Sequence, residues 1–323
     1  MTQPTPQPES VIEHRRLLES SVAGFATRGT DIARVRKLRG TATEYDRAIW
    51  NQMAELGWLG ILVPEEHGGL GLGLTEMAIV ARGLARGLAP EPLTAAAVLS
   101  ATALVAAENA ALKREQLPRL VAGQVLPALA WQEEAGALDP SAPKASAVPF
   151  EGGYKVSGVK RFIAGSAQAD AYLVTARAGD GVVLLWVPKG TTGVSLALET
   201  LADGRAFGTL TLKDALVPKA QVAASGAAAT AALGLAFDHA NAIAAAELAG
   251  LMDRALDMSV EYLKTRVQFG KPIGSFQALQ HRAVDLHIHR EVANAVLEES
   301  LAALDSRPSP AERSVAASRV KAR

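Results

Sequence analysis

The densest chemistry in the 323-residue chain lies in one run, Arg266-Val267-Gln268-Phe269-Gly270-Lys271-Pro272-Ile273-Gly274-Ser275-Phe276-Gln277, with Gln280-His281 just beyond. Taken singly, Arg266 on an Ala/Leu-rich helix reads as a solvated cation and Phe269 as ordinary core, since most aromatics are core. The order and spacing of the whole segment give those residues a different meaning. Other groups carry less. His287 and His289 are two apart, so on a helix they diverge by about 200° and cannot share a metal ion. Gly68-Gly69-Leu70-Gly71 has the glycines of a phosphate cradle, but no Gly-Lys-Ser/Thr follows and no βαβ unit surrounds it, so it reads as a turn. Glu65-Glu66, Glu133-Glu134 and Glu298-Glu299 read as surface carboxylates, because neighbours on a strand point apart. The chain has no cysteine, which excludes disulfides, thiolate nucleophiles, iron–sulfur clusters and cysteine-ligated zinc.

The elements that must position these residues fall into three stretches. From about Val11 to Val121 the pattern is helical. Val11, Leu17, Leu18 and Val22 recur at helical spacing, and Asp46 to Leu56 reads as a helix stopped by Gly57. Thr75 is placed to cap a helix over Glu76 to Leu84. From about Leu126 to Val222 the runs are short and β-prone: Tyr154-Lys155-Val156, Ala171 to Thr175, Val182 to Val187 and Leu210-Thr211-Leu212, divided by glycine turns. They predict a small antiparallel barrel or sandwich. After Ala223 helix returns, with Ala223–Leu235 read as linker plus helix start. Leu279, Ala283, Leu286, Ala293, Leu297 and Leu304 form a heptad-like stripe for a bundle, stopped by Pro308 and Pro310. A last helix from near Ala311 is still running at Arg323, which implies a missing continuation. The fold class is therefore α+β: an all-helical domain over 1–125, a β-domain over 126–222 and a helical bundle, incomplete as it stands, over 223–323.

Composition bounds the partners. Lysine plus arginine and aspartate plus glutamate both number 33, so no global field gathers nucleic acid or anionic membrane. Hydrophobic residues are 49% and charged residues 20%, the balance of a globular protein. The longest apolar stretches fall short of the roughly 20 residues of a membrane span, and the polar Met1 to Arg16 segment has no apolar signal core. The expectation is a cytoplasmic protein.

The Arg266–Gln277 run resembles the helix-loop-helix signature of acyl-CoA dehydrogenases, arginine-x-glutamine-phenylalanine-glycine with phenylalanine-glutamine downstream. Glu55-Leu56-Gly57-Trp58 through Gly71 is similar to the family's amino-terminal helix and glycine loop. Lys155-Val156-Ser157-Gly158-Val159-Lys160-Arg161-Phe162-Ile163, then Ala169-Asp170, is similar to its flavin-facing strands. The resemblance covers the chain from about residue 15 to its end. It implies FAD as cofactor and α,β-dehydrogenation of an acyl-CoA thioester. That reaction needs a carboxylate base in a dry pocket and hydrogen bonds to the thioester oxygen. It also implies an electron-transfer flavoprotein-like acceptor, and a homo- or hetero-oligomer in which this run reaches the partner subunit's flavin. Arg266 would hold the pyrophosphate as an always-charged donor fork, with Gln268, Phe269, Ile273, Phe276 and Gln277 completing that pocket. Trp131, Gln132, Phe162, Ile163 and Ala164 would face the flavin ring, and Asp238 and Leu138 the substrate.

Four departures stand against this pattern. Gln132 replaces the family's first flavin-binding threonine, and Phe162 and Ala164 replace its tryptophan and second threonine. Ala137-Leu138-Asp139 replaces a glycine-serine-aspartate turn. In Phe237-Asp238-His239-Ala240-Asn241, Ala240 holds the alternative position of the catalytic base and cannot take a proton, so no catalytic residue is assigned. The resemblance thus implies either an enzyme whose last helices, with the base, lie beyond Arg323, or a non-catalytic partner subunit of a bacterial two-subunit enzyme, completing its FAD site. A natural stop at Arg323 would favour the partner.

Overall fold

The computed structural model describes residues 9–29, 32–39, 41, 45–136, 138–179, 181–306 and 308–321. Helices come first: α1 (Glu9–Gly29), α2 (Ile32–Leu38), α3 (Arg47–Glu55), α4 (Leu74–Arg86), a π-helical turn pair (Thr94–Ser100) running into α5 (Ala101–Val105), and α6 (Ala110–Val121). Eight strands follow: β1 (Pro127–Ala130), β2 (Ser146–Phe150), β3 (Gly153–Ala164), β4 (Ala171–Ala178), β5 (Gly181–Pro188), β6 (Val194–Thr200), β7 (Ala206–Pro218) and β8 (Val222–Ser225). Then come the long helix α7 (Gly226–Thr265), a hairpin of β9 (Val267–Gln268) and β10 (Lys271–Pro272), α8 (Gln277–Asp305) and α9 (Pro310–Lys321). The expected α+β order, helices then sheet then helices, holds. No helix among the described residues is long and apolar enough to cross a membrane.

The chain packs as two compact units. One contains residues 33–73 and 90–240, the other the remainder. In the first, α3 begins where Asp46 accepts a hydrogen bond from the Ala48 amide at 2.9 Å and ends at Gly57, whose φ of 77° closes the helix. The following loop doubles back on itself: the amides of Leu70, Gly71 and Leu72 donate to the carbonyls of Gly60, Val63 and Ile61. Gly69 lies so close to the Val63 carbonyl that no Cβ fits there. These amides are spent inside the loop, so the glycine run is a packed turn. The sheet runs β6-β7-β3-β2-β4-β5-β8, with β1 beside β4. Its pairings are antiparallel as expected, except that β1 lies parallel to β4 and β2 meets β4 in parallel at Ser146–Arg177. Ala223 and Ala224 are buried strand residues rather than linker, and the helix starts at Gly226.

In the second unit α1 packs on α4, with the Arg15 guanidinium on the buried Glu76 carboxylate at 2.6 Å. Thr75 is not the cap of α4. The Asp305 carboxylate, from the end of α8, accepts hydrogen bonds from the Leu74 amide at 2.6 Å, the Thr75 amide at 3.0 Å and the Thr75 hydroxyl. Asp305→Ala should cost about 1 kcal/mol of stability, the usual value of an N-cap, read as a lowered urea midpoint at unchanged slope. The α8 stripe is only partly core. Leu297 and Leu304 are buried, whereas Leu286 is exposed along with its neighbours Val284 and Ile288.

Candidate functional site

The sheet unit gathers one set of candidate residues around an irregularity in β3. Lys160 pairs with Leu210 of β7 and Ile163 with Gly208, so Arg161 and Phe162 oppose the single residue Thr209. Such a bulge bends the strand and re-aims a side chain. Phe162 takes a φ of 56°, a strained setting for an aromatic, and the residue is 38% exposed while Ile163 beside it is buried. The Arg161 amide donates to the Gln132 carbonyl at 2.7 Å, which brings the segment after β1 against the bulge. The Gln132 side chain turns to the Glu134 carbonyl at 3.2 Å. Trp131 meets Phe237 of α7 edge-on, with ring centres 4.7 Å apart, and the next residue, Asp238, is buried. Trp131, Gln132, Phe162, Ile163 and Asp238 therefore belong to one neighbourhood, joined by Ala164 at the end of β3. Leu138 is 72% exposed to solvent, and Ala137 lies outside the described residues.

Beneath this face is a buried ion pair that sequence reasoning missed. Lys160 has no exposed surface, and its three ammonium protons find three acceptors: Glu133 Oε1 at 2.6 Å, Thr175 Oγ1 at 3.0 Å and the Trp131 carbonyl at 3.3 Å. Glu133 also accepts from the amides of Lys144 at 2.6 Å and Ala145 at 2.8 Å. It is thus not a surface carboxylate; only Glu134, paired with Lys144, is exposed. The available signal was parity: counted in twos along β3 from Val156, Lys160 falls on the same inward face.

Burial pushes the Lys160 amine down, against the pull of Glu133. Burial would raise the Glu133 carboxyl, but the hydrogen bonds from Lys160 and from the Ala145 and Lys144 amides outweigh it and hold the group below the ordinary carboxylate range. A depressed carboxyl adds stability above its unfolded value and loses it as pH falls through the folded value. The thermal midpoint should therefore drop on acidification below the ordinary glutamate range, and Glu133→Gln should flatten that part of the curve. Melting both proteins across pH 3–7 checks this.

The helical unit holds the second set. The Phe269-Gly270 pair, with φ of 53° and 77°, turns the hairpin between β9 and β10, and the Ile273 amide donates to the Arg266 carbonyl at 2.8 Å. Both turn residues need positive φ, a setting that favours Asn-Gly and strains phenylalanine. Phe269 is nevertheless 91% exposed, with its ring edge-on to Phe276 at 6.0 Å, and Lys271 sits 4.6 Å from the Phe276 ring centre. The Arg266 guanidinium makes no hydrogen bond or ion pair with a described residue. Gln268 donates to its neighbouring Val267 carbonyl, and Gln277 opens α8. His287 lies exposed beside Arg290 and Glu291, and no cluster of metal-ligating side chains occurs among the described residues.

Two family descriptions match this chain: "Acyl-CoA dehydrogenase, N-terminal domain" over residues 12–124 and "Acyl-CoA dehydrogenase, C-terminal domain" over residues 227–323. The acyl-CoA dehydrogenase IpdE2 of Mycobacterium tuberculosis is 30% identical across 89% of this chain and 76% of its own length. The chain belongs to the acyl-CoA dehydrogenase family. A mitochondrial isovaleryl-CoA dehydrogenase of Solanum tuberosum is likewise 30% identical, over 88% of this chain and 71% of that protein. Among solved structures, the Tcur3481-Tcur3483 steroid ACAD superposes with a TM-score of 0.85 at 30% identity, covering 96% of this chain and 82% of that one. The ChsE4-ChsE5 complex from Mycobacterium tuberculosis gives 0.85 at 26% identity, covering 98% and 86%. The acyl-CoA dehydrogenase fold accounts for the element order described above, from the helical start through the sheet to the helical end.

Proposed function

We propose that this chain serves the FAD-dependent α,β-dehydrogenation of an acyl-CoA thioester within an oligomer, with electrons passing to a separate carrier protein. The carrying observation is the tip of the β9–β10 hairpin. There the side chain of Phe269 is held out at a strained backbone angle, and at the foot of the same hairpin the Arg266 guanidinium has no partner among the described residues. An exposed Phe269 gains nothing in water, so the arrangement suits insertion into another surface, where Arg266 would meet a phosphate group bidentately.

The residues fit FAD in two different degrees. The arm offers a free donor fork, aromatic faces and amides, a donor set matched to a pyrophosphate and its neighbouring rings. The sheet face offers the rings of Trp131 and Phe162 and the backbone of Ile163 as a wall, but Ala164 brings no hydroxyl and the Gln132 amide is engaged at Glu134. When bound, FAD supplies the hydride acceptor. The chain's own residues would orient and exclude water: Phe162 and Trp131 would shield the ring, and Asp238 and Leu138 would serve the acyl-CoA. We read the three segments 1–125, 126–222 and 223–323 as the domains that carry these tasks.

The second reading is a non-catalytic partner subunit that completes the FAD site of a two-subunit enzyme. Ala240 favours it, because no carboxylate stands at that position. So do the paired names of two similar solved structures, while the large apolar side chains exposed on α7 and α8, among them Leu248, Met258, Tyr262 and Leu286, suit an oligomer under either reading.

The test is the visible absorbance between roughly 350 and 500 nm of the purified chain and of its native assembly, each with and without FAD. Shifted flavin bands in the chain alone would support its own working site. Bands in the assembly only would support the partner reading, and none in either would sink both. Arg266→Ala should lower FAD retention by the assembly roughly tenfold or more, since a charged hydrogen bond contributes about 1.5–3 kcal/mol. Circular dichroism should show the variant still folded, because Arg266 is exposed.

A further inference from the structure

We propose that Glu133 and Lys160 are positioning residues of the flavin-facing wall, a buried latch that locks the end of β1, the loop after it and the β3 bulge into one fixed corner. It rests on the functional reading above and adds to it two residues whose side chains are buried behind the wall. Three connections define the corner. Lys160, the last regularly paired residue before the bulge, is anchored to Glu133, Thr175 and the Trp131 carbonyl. One residue on, the Arg161 amide reaches the Gln132 carbonyl. Glu133 in turn gathers the amides of Lys144 and Ala145, closing the loop over residues 134–143 at its base.

A buried ion pair is weak evidence for stability, because apolar groups of equal volume often do as well. What this pair supplies is geometry. Phe162 has no intrinsic reason to stay at positive φ, and a strained residue persists only where its surroundings over-determine it. The anchoring of Lys160 on one side and of Ile163 in the core on the other leaves the bulge nowhere to slip. Trp131 and Gln132, whose carbonyls both serve the corner, are held by the same bonds. The orientation of Phe162 and Trp131 is thus fixed from behind by the Glu133–Lys160 contact.

The test variant is the double exchange Glu133→Gln with Lys160→Met, which removes both charges at nearly constant volume. Thr175→Val is the milder alternative, deleting one of the three Lys160 acceptors. Amide hydrogen exchange is followed in the full chain, and FAD titration by absorbance in the chain and its native assembly. Expected are a folded double variant, at least tenfold faster exchange at the Lys144, Ala145 and Arg161 amides, FAD binding weaker by about tenfold, and flavin bands of altered shape. A merely structural role would change the melting temperature without changing the bands. Unchanged exchange at those amides in a folded variant overturns the latch. Faster exchange with FAD affinity and band shape unchanged overturns its positioning role. If the wild-type assembly takes up no FAD, the functional reading fails on its own, and the exchange data alone decide the corner.

Discussion

Glu133→Ala should destabilise the fold by about 3–5 kcal/mol, the cost of stripping one partner from a buried ion pair. Alanine leaves the Lys160 ammonium with no exposed surface and two neutral acceptors in place of a carboxylate at 2.6 Å. It also strands the Lys144 and Ala145 amides that the carboxylate had satisfied. The amine can escape part of this by giving up its proton, and burial already pushes it that way. The variant should therefore regain stability toward high pH, where a neutral amine is the majority form. Urea unfolding at neutral and alkaline pH reads both effects. A loss under about 1 kcal/mol, or no recovery at high pH, would show that the pair is not the buried anchor its geometry makes it.

Gly250→Ala should also destabilise, by about 1–3 kcal/mol, the cost of overpacking a close contact. The sign is what makes this informative. Within a helix, alanine normally gains up to about 1 kcal/mol over glycine. Here a Cβ on Gly250 of α7 would run into the carbonyl group of Arg82 in α4. Arg82 cannot retreat freely, because its side chain holds the buried Asp253 at 2.6 Å and Arg86, one turn on, holds Asp257 at 2.7 Å. The two helices would have to move apart and stretch both pairs together. Melting of the variant against wild type decides it: a gain in stability would mean that the helices approach less closely than described.

Local signals were legible in the sequence, and non-local ones were not. Asp46 and Gly57 bracket α3 because a cap and a stop act within one turn of the residues they serve. The cap of α4 comes from Asp305, far along the chain, so the nearby Thr75 stood in for it. β2 was hidden because Pro149 interrupts it; β6 does alternate, Val194, Leu196 and Leu198 against Ser195, Ala197 and Glu199, but lies largely exposed. The Arg266–Gln277 run stood out because its meaning lies in one uninterrupted segment. Glu133 was hidden for the opposite reason: its partners, Lys160 and Thr175, come from two other strands, and adjacency to Glu134 made it look like a wet surface.

The closure of residues 134–143 at their base has a consequence for how such a chain can vary. Because Glu133 ties Lys144 and Ala145 to the foot of the loop, the ends stay fixed whatever lies between them. Chain-closure entropy grows only with the logarithm of length, about 0.6 kcal/mol for each doubling. The segment bearing Leu138 can therefore be lengthened, shortened or recomposed at little thermodynamic cost, while the strands behind it stay in register. Divergence is cheap in the loop and expensive at its stem.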